Sequence, residues 1–528
     1  MTSRYDLDAT GVATLTLDGD GAVNVINDAT INAFEERLTA ALSDDAVKGA
    51  IVGSTKAGFL AGGDLDVLYE ACLEAAAVAP EHRPVRARKI YDEIMPMHRL
   101  LRRMETSGKP IVAVIEGAAL GGGFELCLAC HHRIAIDTPA VQIGLPEVLL
   151  GLMPNAGGTQ RLPRLIGSEK ALPLLIDGTK LDAQAAADLG LVELAGSADA
   201  AVARARAWIA DHPEAAQPWD MRGFRVPGGK PSDLSAMEVY EVANVTLRRD
   251  WYGSAPARKA ILSAAYEGLH VTLDEALPVE AAFFADLAMD PQTVATLEVA
   301  AATPARLRRT ARRTALPLLK INATGPLGAE LHARAERRGV SMDRTTEGGV
   351  ALIVHDGAKT YRLWENGNGA NDDRDAVAAL FTTDAGFAVA EVSYTDAPPQ
   401  PLLTALAGLG IAPIAVRRAG GRSFTQRLSA ALSRRAEELA ADGAPPHMLH
   451  RARRLARFRG AVTPPQDTDH AESEGTTLSV AAMAASLTEA LVSEMRQAVS
   501  NNDVAGPAEA RLLAVAGCGA PATIATTP

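Results

Sequence analysis

Three glycine-rich segments and two glutamates hold the chemistry this sequence offers. Phe59-Leu60-Ala61-Gly62-Gly63-Asp64-Leu65 follows an apolar run. Its adjacent glycines let a backbone N–H point into space that a side chain would otherwise fill. Gly117-Ala118-Ala119-Leu120-Gly121-Gly122-Gly123-Phe124-Glu125 follows a second apolar run and opens a helix. The first N–H groups of a helix are unpaired and favour negative charge. The third segment is Gly144-Leu145-Pro146-Glu147, continued by Gly151-Leu152-Met153-Pro154-Asn155-Ala156-Gly157-Gly158-Thr159-Gln160-Arg161. Two N–H groups converging on one oxygen would stabilise an oxyanion by roughly 3 kcal/mol per donor. Two carboxylates holding one water could serve as acid and base. Glu125 stands on the first turn of the helix that Gly122 opens, and Glu147 comes from the next loop. Taken singly, each glycine cluster reads as a tight turn, and each glutamate as a surface carboxylate or a cap. Cys127-Leu128-Ala129-Cys130-His131-His132 lacks a second cysteine pair nearby. Zinc needs about four converging ligands, so these cysteines read as core and no metal site is expected.

The elements that must position these groups alternate between strand and helix over the first 190 or so residues. Ala13, Leu15 and Leu17 alternate with Thr14 and Thr16, a period-2 strand. A helical pattern begins at Ile31-Asn32-Ala33-Phe34. Val47-Lys48-Gly49-Ala50-Ile51-Val52 and Ile111-Val112-Ala113-Val114-Ile115 read as buried strands, which predicts an α/β core of crossover units. His212 to Asp233 is rich in proline and glycine and reads as a surface connection, with helix again from about 236 to 300. The basic run Arg306, Arg308, Arg309, Arg312 and Arg313 reads as a solvated helix face. Val350-Ala351-Leu352-Ile353-Val354, Asp356-Gly357 and Thr360-Tyr361-Arg362-Leu363-Trp364 predict a hairpin. From 424 onward the chain is mostly helical, with a polar break over Pro464 to Thr476. The expected domains are 1–210, a helical connection over 211–315, a small α/β region over 316–420 and a helical region over 421–528.

Composition excludes several classes. The chain of 528 residues has 52 Lys+Arg against 64 Asp+Glu, a net charge of −12, which disfavours a nucleic-acid partner. Aromatic residues are only 4% against 48% apolar, so aliphatic side chains must build the cores. Four cysteines exclude a disulfide scaffold and fit a reducing compartment. No run is long and apolar enough for a membrane span. Met1-Thr2-Ser3-Arg4-Tyr5-Asp6 leads into no apolar stretch, so no signal peptide is expected. A cytoplasmic location is the expectation.

In this order, together with Val23-Asn24-Val25-Ile26 and Lys109-Pro110-Ile111-Val112-Ala113, the glycine segments resemble the enoyl-CoA hydratase/isomerase (crotonase) family from about residue 10 to 200. The resemblance implies a ββα spiral core and an acyl-CoA thioester substrate. It makes the N–H groups of Gly63 and Gly122 the oxyanion donors. Glu125 becomes the base that activates water, and Glu147 the acid that protonates C2. It sets Val23, Val25, Ala61, Asp64, Leu65 and Asn155 against the CoA substrate. The implied reaction is hydration of trans-2-enoyl-CoA to 3-hydroxyacyl-CoA in acyl-CoA degradation. The alternatives are Δ3-Δ2-enoyl-CoA isomerisation, thioester hydrolysis, and a non-catalytic scaffold that docks a thiolase. Two features depart from the pattern. The interval between Glu125 and Glu147 is lengthened near Ile136-Asp137-Thr138-Pro139, and Asn155 stands where hydratases usually carry glycine and some relatives a catalytic Asp. An asparagine cannot serve as a carboxylate base.

Farther along, Gln217-Pro218-Trp219-Asp220-Met221-Arg222-Gly223-Phe224, Ala255-Pro256-Ala257-Arg258 and Phe283-Phe284-Ala285-Asp286 resemble multifunctional fatty-acid oxidation α-subunits. Those proteins join a hydratase to an NAD-dependent 3-hydroxyacyl-CoA dehydrogenase. The tail resembles their helical domains at Ala441-Asp442-Gly443-Ala444-Pro445-Pro446 and Ala505-Gly506-Pro507-Ala508. The dinucleotide fingerprint is degenerate. Ala323 replaces the first glycine of Ala323-Thr324-Gly325-Pro326-Leu327-Gly328, and Val350 follows Asp343 too soon for a further helix. Ala379 stands where the family dehydrogenase carries its catalytic His, although Glu391-Val392 is kept. A shortened, Rossmann-like half that binds no NAD is therefore expected, with no other cofactor. Self-association and a thiolase partner are compatible with the resemblance.

Overall fold

The structure is a computed structural model. It describes residues 5–19, 24–60, 62–251, 255–311, 318–321, 326–338, 340, 342–344, 350–356, 359–365, 375–382, 388–419, 422–455, 479–518 and 520. The chain divides into two compact units, Met1–Val294 and Ala295–Pro528.

In the first unit, the strands in chain order are β1 (Asp6–Leu7), β2 (Val12–Leu17), β3 (Gly49–Ser54), β4 (Ile111–Ile115), β5 (Ala119–Leu120), β6 (His132–Ile136), β7 (Ile143–Gly144), β8 (Lys180–Leu181) and β9 (Glu193–Ala195). Among the described residues, β1-β2-β3-β4-β6-β9 form one sheet, parallel from β2 onward. Every residue of the central β4 is buried, as expected of a parallel strand covered on both faces. β5, β7 and β8 form a second, small sheet. The helices are α1 (Asp28–Ser43), α2 (Leu65–Ala76), α3 (Arg83–Glu105), α4 (Gly122–Ala129), α5 (Gly158–Ile166), α6 (Ser168–Asp177), α7 (Ala183–Asp188), α8 (Ala198–Asp211), α9 (Leu234–Trp251), α10 (Pro256–Gly268) and α11 (Leu273–Ala288).

These elements form a repeating turn: a strand of the large sheet, a short extended pairing beside it, then a helix. β2 is followed by the Ile26 bridge and α1; β3 by the Leu60 bridge and α2; β4 by β5 and α4; β6 by β7 and the 3-10 turn Pro146–Leu150. This is the ββα spiral. Local chemistry starts its helices. Asn27 accepts from the Thr30 N–H to cap α1, and Asp64 accepts from the Asp66 and Val67 N–H groups to cap α2. Between Glu125 and Glu147 a turn follows β6, where the Val141 N–H bonds the Thr138 carbonyl.

The stretch expected as a connection over 211–315 splits between the units, and its helices α10 and α11 lie in the first. Their apolar faces account for this: Ile261, Ala264, Ala265, Leu277, Ala281, Phe284 and Ala285 are all buried. Gln217 donates to the carbonyls of Ala129 and Cys130 at 3.1 and 3.0 Å, closing the end of α4.

The second unit adds α12 (Pro291–Leu297), which runs into it across the boundary, and α13 (Thr303–Ala311), on which Arg306 pairs with Glu509 at 2.9 Å. Its sheet has the order β11 (Met342–Arg344), β10 (Leu318–Ile321), β12 (Val350–Asp356), β13 (Lys359–Glu365), β14 (Asp375–Thr382), β15 (Ala388–Tyr394) and β16 (Ala412–Arg417). The β12–β13 hairpin forms in antiparallel register; its Gly357 and the residues Ala323, Thr324 and Gly325 lie outside the described residues. The sheet is mixed: β10 pairs parallel with β11 but antiparallel with β12. One cluster packs α14 (Pro326–Arg337) and α15 (Gln400–Gly408) on the sheet through Leu331, Leu402 and Leu406. A second joins β16 to α16 (Phe424–Ala441), α17 (Pro446–Leu455), α18 (Val480–Ser500) and α19 (Pro507–Cys518) through Phe424, Leu428, Leu491 and Leu512.

Candidate active site

Parallel pairing brings two glycines together. Leu60 bridges Ala119, and the Leu120 N–H bonds the Leu60 carbonyl at 3.1 Å, so the chain after Leu60 runs beside the chain after Ala119. Carried forward, that register sets Gly63 beside Gly122. A Cβ built on Gly62 would lie 4.0 Å from the Gly122 nitrogen. Close approach requires glycine at Gly123, where a Cβ would lie 2.1 Å from the Leu60 carbonyl oxygen. Gly122 is the first residue of α4, so its N–H has no acceptor within the helix. Among the described residues, no backbone hydrogen bond uses the N–H of Gly63 or Gly122.

Both glutamates face this point. A Cβ on Gly121 would lie 2.8 Å from Glu147 Oε1, and one on Gly122 would lie 3.8 Å from Glu125 Oε2. Glu125 is fully buried, and its Oε1 accepts from the N–H groups of Ala156 and Gly158, each at 2.7 Å. Its Oε2 is buried without a hydrogen-bond partner, and so is Oε2 of Glu147. Burial pushes the Glu125 carboxyl above its ordinary value, against the pull of the Ala156 and Gly158 N–H groups and Arg161. Burial, followed by the nearby Glu125 and Glu280, pushes Glu147 well above its own. Two carboxyls so close, with little water to separate them, do not ionise together.

The arrangement is one free carboxylate oxygen, one carboxyl inclined to keep its proton, and two N–H groups bonded to no backbone carbonyl among the described residues. The profile of the enoyl-CoA hydratase/isomerase family matches residues 8–218. These residues are similar to the enoyl-CoA hydratase/isomerase family. The chain is 31% identical over 396 residues to the fatty acid oxidation complex subunit alpha of Shewanella amazonensis, covering 71% of this chain and 52% of that one. The same subunit of Shewanella loihica is 32% identical over 303 residues, covering 56% and 40%. The chain thus spans about half the length of the curated relatives it matches. The crystal structure of an enoyl-CoA hydratase from Bacillus halodurans aligns with a TM-score of 0.39 at 21% identity, covering 56% of this chain and 98% of that one.

Of the other residues that the family resemblance set against substrate, Val23 and Ala61 lie outside the described residues. Val25 is half-buried and adjoins Ile26, whose N–H bonds the Gly62 carbonyl at 2.8 Å. Asp64 is engaged as the α2 cap, and Leu65 is the first residue of that helix. Asn155, half-buried, begins the loop that holds Glu125.

That loop has supports that the sequence pattern did not single out. Glu105 and Arg161 form a fully buried pair, with bonds of 2.7 and 3.1 Å, and Arg161 also donates to the Ala156 carbonyl at 2.7 Å. Gln160 donates to the Ala264 carbonyl on α10 at 2.8 Å. Glu280 on α11 accepts from the Gly157 N–H at 2.6 Å, from the Thr159 N–H at 2.9 Å, and from the Thr159 hydroxyl. The signal for Glu280 was legible: it is a lone carboxylate on the apolar stripe of Leu277, Ala281 and Phe284.

The Cys127–His132 stretch has structural contacts. Cys127 and Cys130 are buried, and burial pushes the Cys130 thiol up to about 12. The His131 Nδ1 accepts from the Ile111 N–H at 3.1 Å, and His132 stacks on Trp208. Among the described residues, no group of three or more His, Cys, Asp or Glu could hold a metal ion, and no helix is long and apolar enough to cross a membrane.

Proposed function

We propose that the first unit adds water to trans-2-enoyl-CoA. The observation that carries this reading is the pair of buried, partnerless oxygens, Glu125 Oε2 and Glu147 Oε2, on either side of the glycines that open α4. The N–H groups of Gly63 and Gly122 would bind the thioester oxygen and draw charge from the alkene. A water held between the carboxyls loses a proton to Glu125 as its oxygen bonds to C3. Glu147 gives its proton to C2, and the oxyanion returns to the thioester. The proton then passes from Glu125 to Glu147 through the next water, which restores both groups. Isomerisation would need only one carboxylate, so two free oxygens favour hydration. The names of the relatives extend the proposal to fatty-acid oxidation.

For the second unit, the proposal is that it oxidises no 3-hydroxyacyl-CoA and holds no NAD. A dinucleotide crevice forms where parallel strands diverge, whereas β10 has the antiparallel β12 on one side. Ala379 faces Glu391 across the β14–β15 pair, where the family dehydrogenase would need its histidine. Glu391 instead caps α16, accepting from the N–H groups of Phe424 and Thr425 at 2.6 and 3.1 Å.

A panel of trans-2-enoyl-CoA substrates of increasing chain length, with products identified by mass and double-bond position, tests the hydratase reading. 3-Hydroxyacyl-CoA supports it. Only a shifted double bond, or free CoA, would replace it with isomerisation or hydrolysis.

A further inference from the structure

The loop from Asn155 to Thr159 hangs between two buried glutamates. Its N–H groups alternate: Ala156 and Gly158 donate to Glu125, while Gly157 and Thr159 donate to Glu280. Each carboxylate thus pulls the same short strip of backbone from its own side. We propose that Glu280 is a positioning residue for the hydration site, holding this loop so that Glu125 Oε1 stays bound and Oε2 stays free for water. This deepens the hydratase reading and rests on it.

The surroundings of Glu280 favour that role over plain packing. It is fully buried, and among the described residues the only basic side chain paired with it within 4.0 Å is His98, at 3.9 Å. His98 is itself buried, and burial with the nearby Arg161 pushes it down to about 3, so it stays neutral. A buried acidic side chain is costly even when it keeps its proton, and in that place an apolar side chain would serve a core better. Its three donors all come from Gly157 and Thr159. The charged and titratable groups that interact with it are Glu125 on α4, His98 on α3 and Arg164 on α5, together with Glu147. α11 therefore does more than cover the unit: it supplies one of the two anchors of the loop.

The experiment uses the full chain and compares Glu280→Ala, Glu280→Asp, Glu125→Gln and the Glu125→Gln/Glu280→Ala double variant. Displacing a reacting group by about an ångström costs on the order of 10²-fold in rate. Glu280→Ala should therefore lose about 10²-fold in kcat with KM little changed, and Glu280→Asp should recover part of it. Because Glu280 acts through Glu125, the double variant should hydrate no more slowly than Glu125→Gln alone. A role in stability alone predicts additive losses. Additive losses, or a folded Glu280→Ala enzyme with wild-type kcat, would overturn the proposal. If the wild-type chain hydrates nothing, the functional reading fails by itself. The positioning claim is then read from the infrared band of the Glu125 carboxyl, assigned by its loss in Glu125→Gln. A shift of that band in Glu280→Ala supports the claim, and an unmoved band sinks it.

Discussion

Glu125 and Glu147 differ in what holds them, and that difference sets their expected division of labour. Glu125 receives two backbone N–H bonds on one oxygen, while Glu147 has burial and two neighbouring carboxylates working against its ionisation. Replacing either with glutamine should cost about 10²–10⁴-fold in hydration, with thioester binding kept; stopped-flow loss of the conjugated enoyl absorbance measures it. The rate should follow a bell-shaped pH profile. Its acid limb belongs to Glu125, which must be ionised and whose pKa lies above the ordinary carboxylate value. Its basic limb belongs to Glu147, which must be protonated and is raised farther. Activity confined to the ordinary carboxylate range would contradict that assignment. The two glutamates were legible as candidates only through the family resemblance, because a glycine cluster alone reads as a tight turn and a glutamate alone as a surface carboxylate or a cap. The part played by Asp64 was not, and for Glu280 only its odd place on an apolar stripe was, since a cap and a brace are defined by the partners they meet in the folded chain.

At the scale of elements, the start of α4 does the positioning. Its first helical residue is a position where a proline backbone fits, so Gly122→Pro removes the N–H while keeping the helix. A new Cβ there would lie 2.3 Å from Ile26 Cδ1, the flexible end of a side chain. Gly122→Ala introduces the same crowding and retains the donor. The proline variant should therefore turn over about 10²-fold more slowly than the alanine variant, and equal rates would place the donor elsewhere. The strands β2, β3 and β4 were legible from alternation and from apolar runs, because burial on one or both faces leaves those patterns directly. The pairings of Ile26 with Gly63 and of Leu60 with Ala119 were not, since an isolated bridge carries no periodicity of its own. The β12–β13 hairpin was visible, but the antiparallel contact between β10 and β12 depends on partners that no local pattern announces.

For the whole molecule, the boundary at 294 has a practical meaning. A chain ending near residue 211 keeps Glu125 and Glu147 but loses Glu280 and the Ala264 carbonyl that anchors Gln160. It should be inactive, whereas one ending at Val294 should fold and hydrate; parallel expression and assay of the two distinguishes them. Titrating the full chain calorimetrically with NAD should give no saturable heat, and saturable binding would overturn the reading of the second unit. Burying three carboxyls also makes folding of the first unit a proton-uptake reaction. Glu280 is pushed up to about 8, from an unfolded value of 4.5, by burial and by Glu125. Between those values the folded unit holds a proton that the unfolded chain releases, so stability is greatest at the lower end and declines as pH rises through about 8. His98 acts the other way, but only between about 3 and its ordinary 6.5, and is spent above that. From pH 6.5 to 8 stability should therefore fall steadily. The enthalpy of unfolding measured there should change with the ionisation heat of the buffer, because each molecule that melts hands its carboxyl protons to the solution.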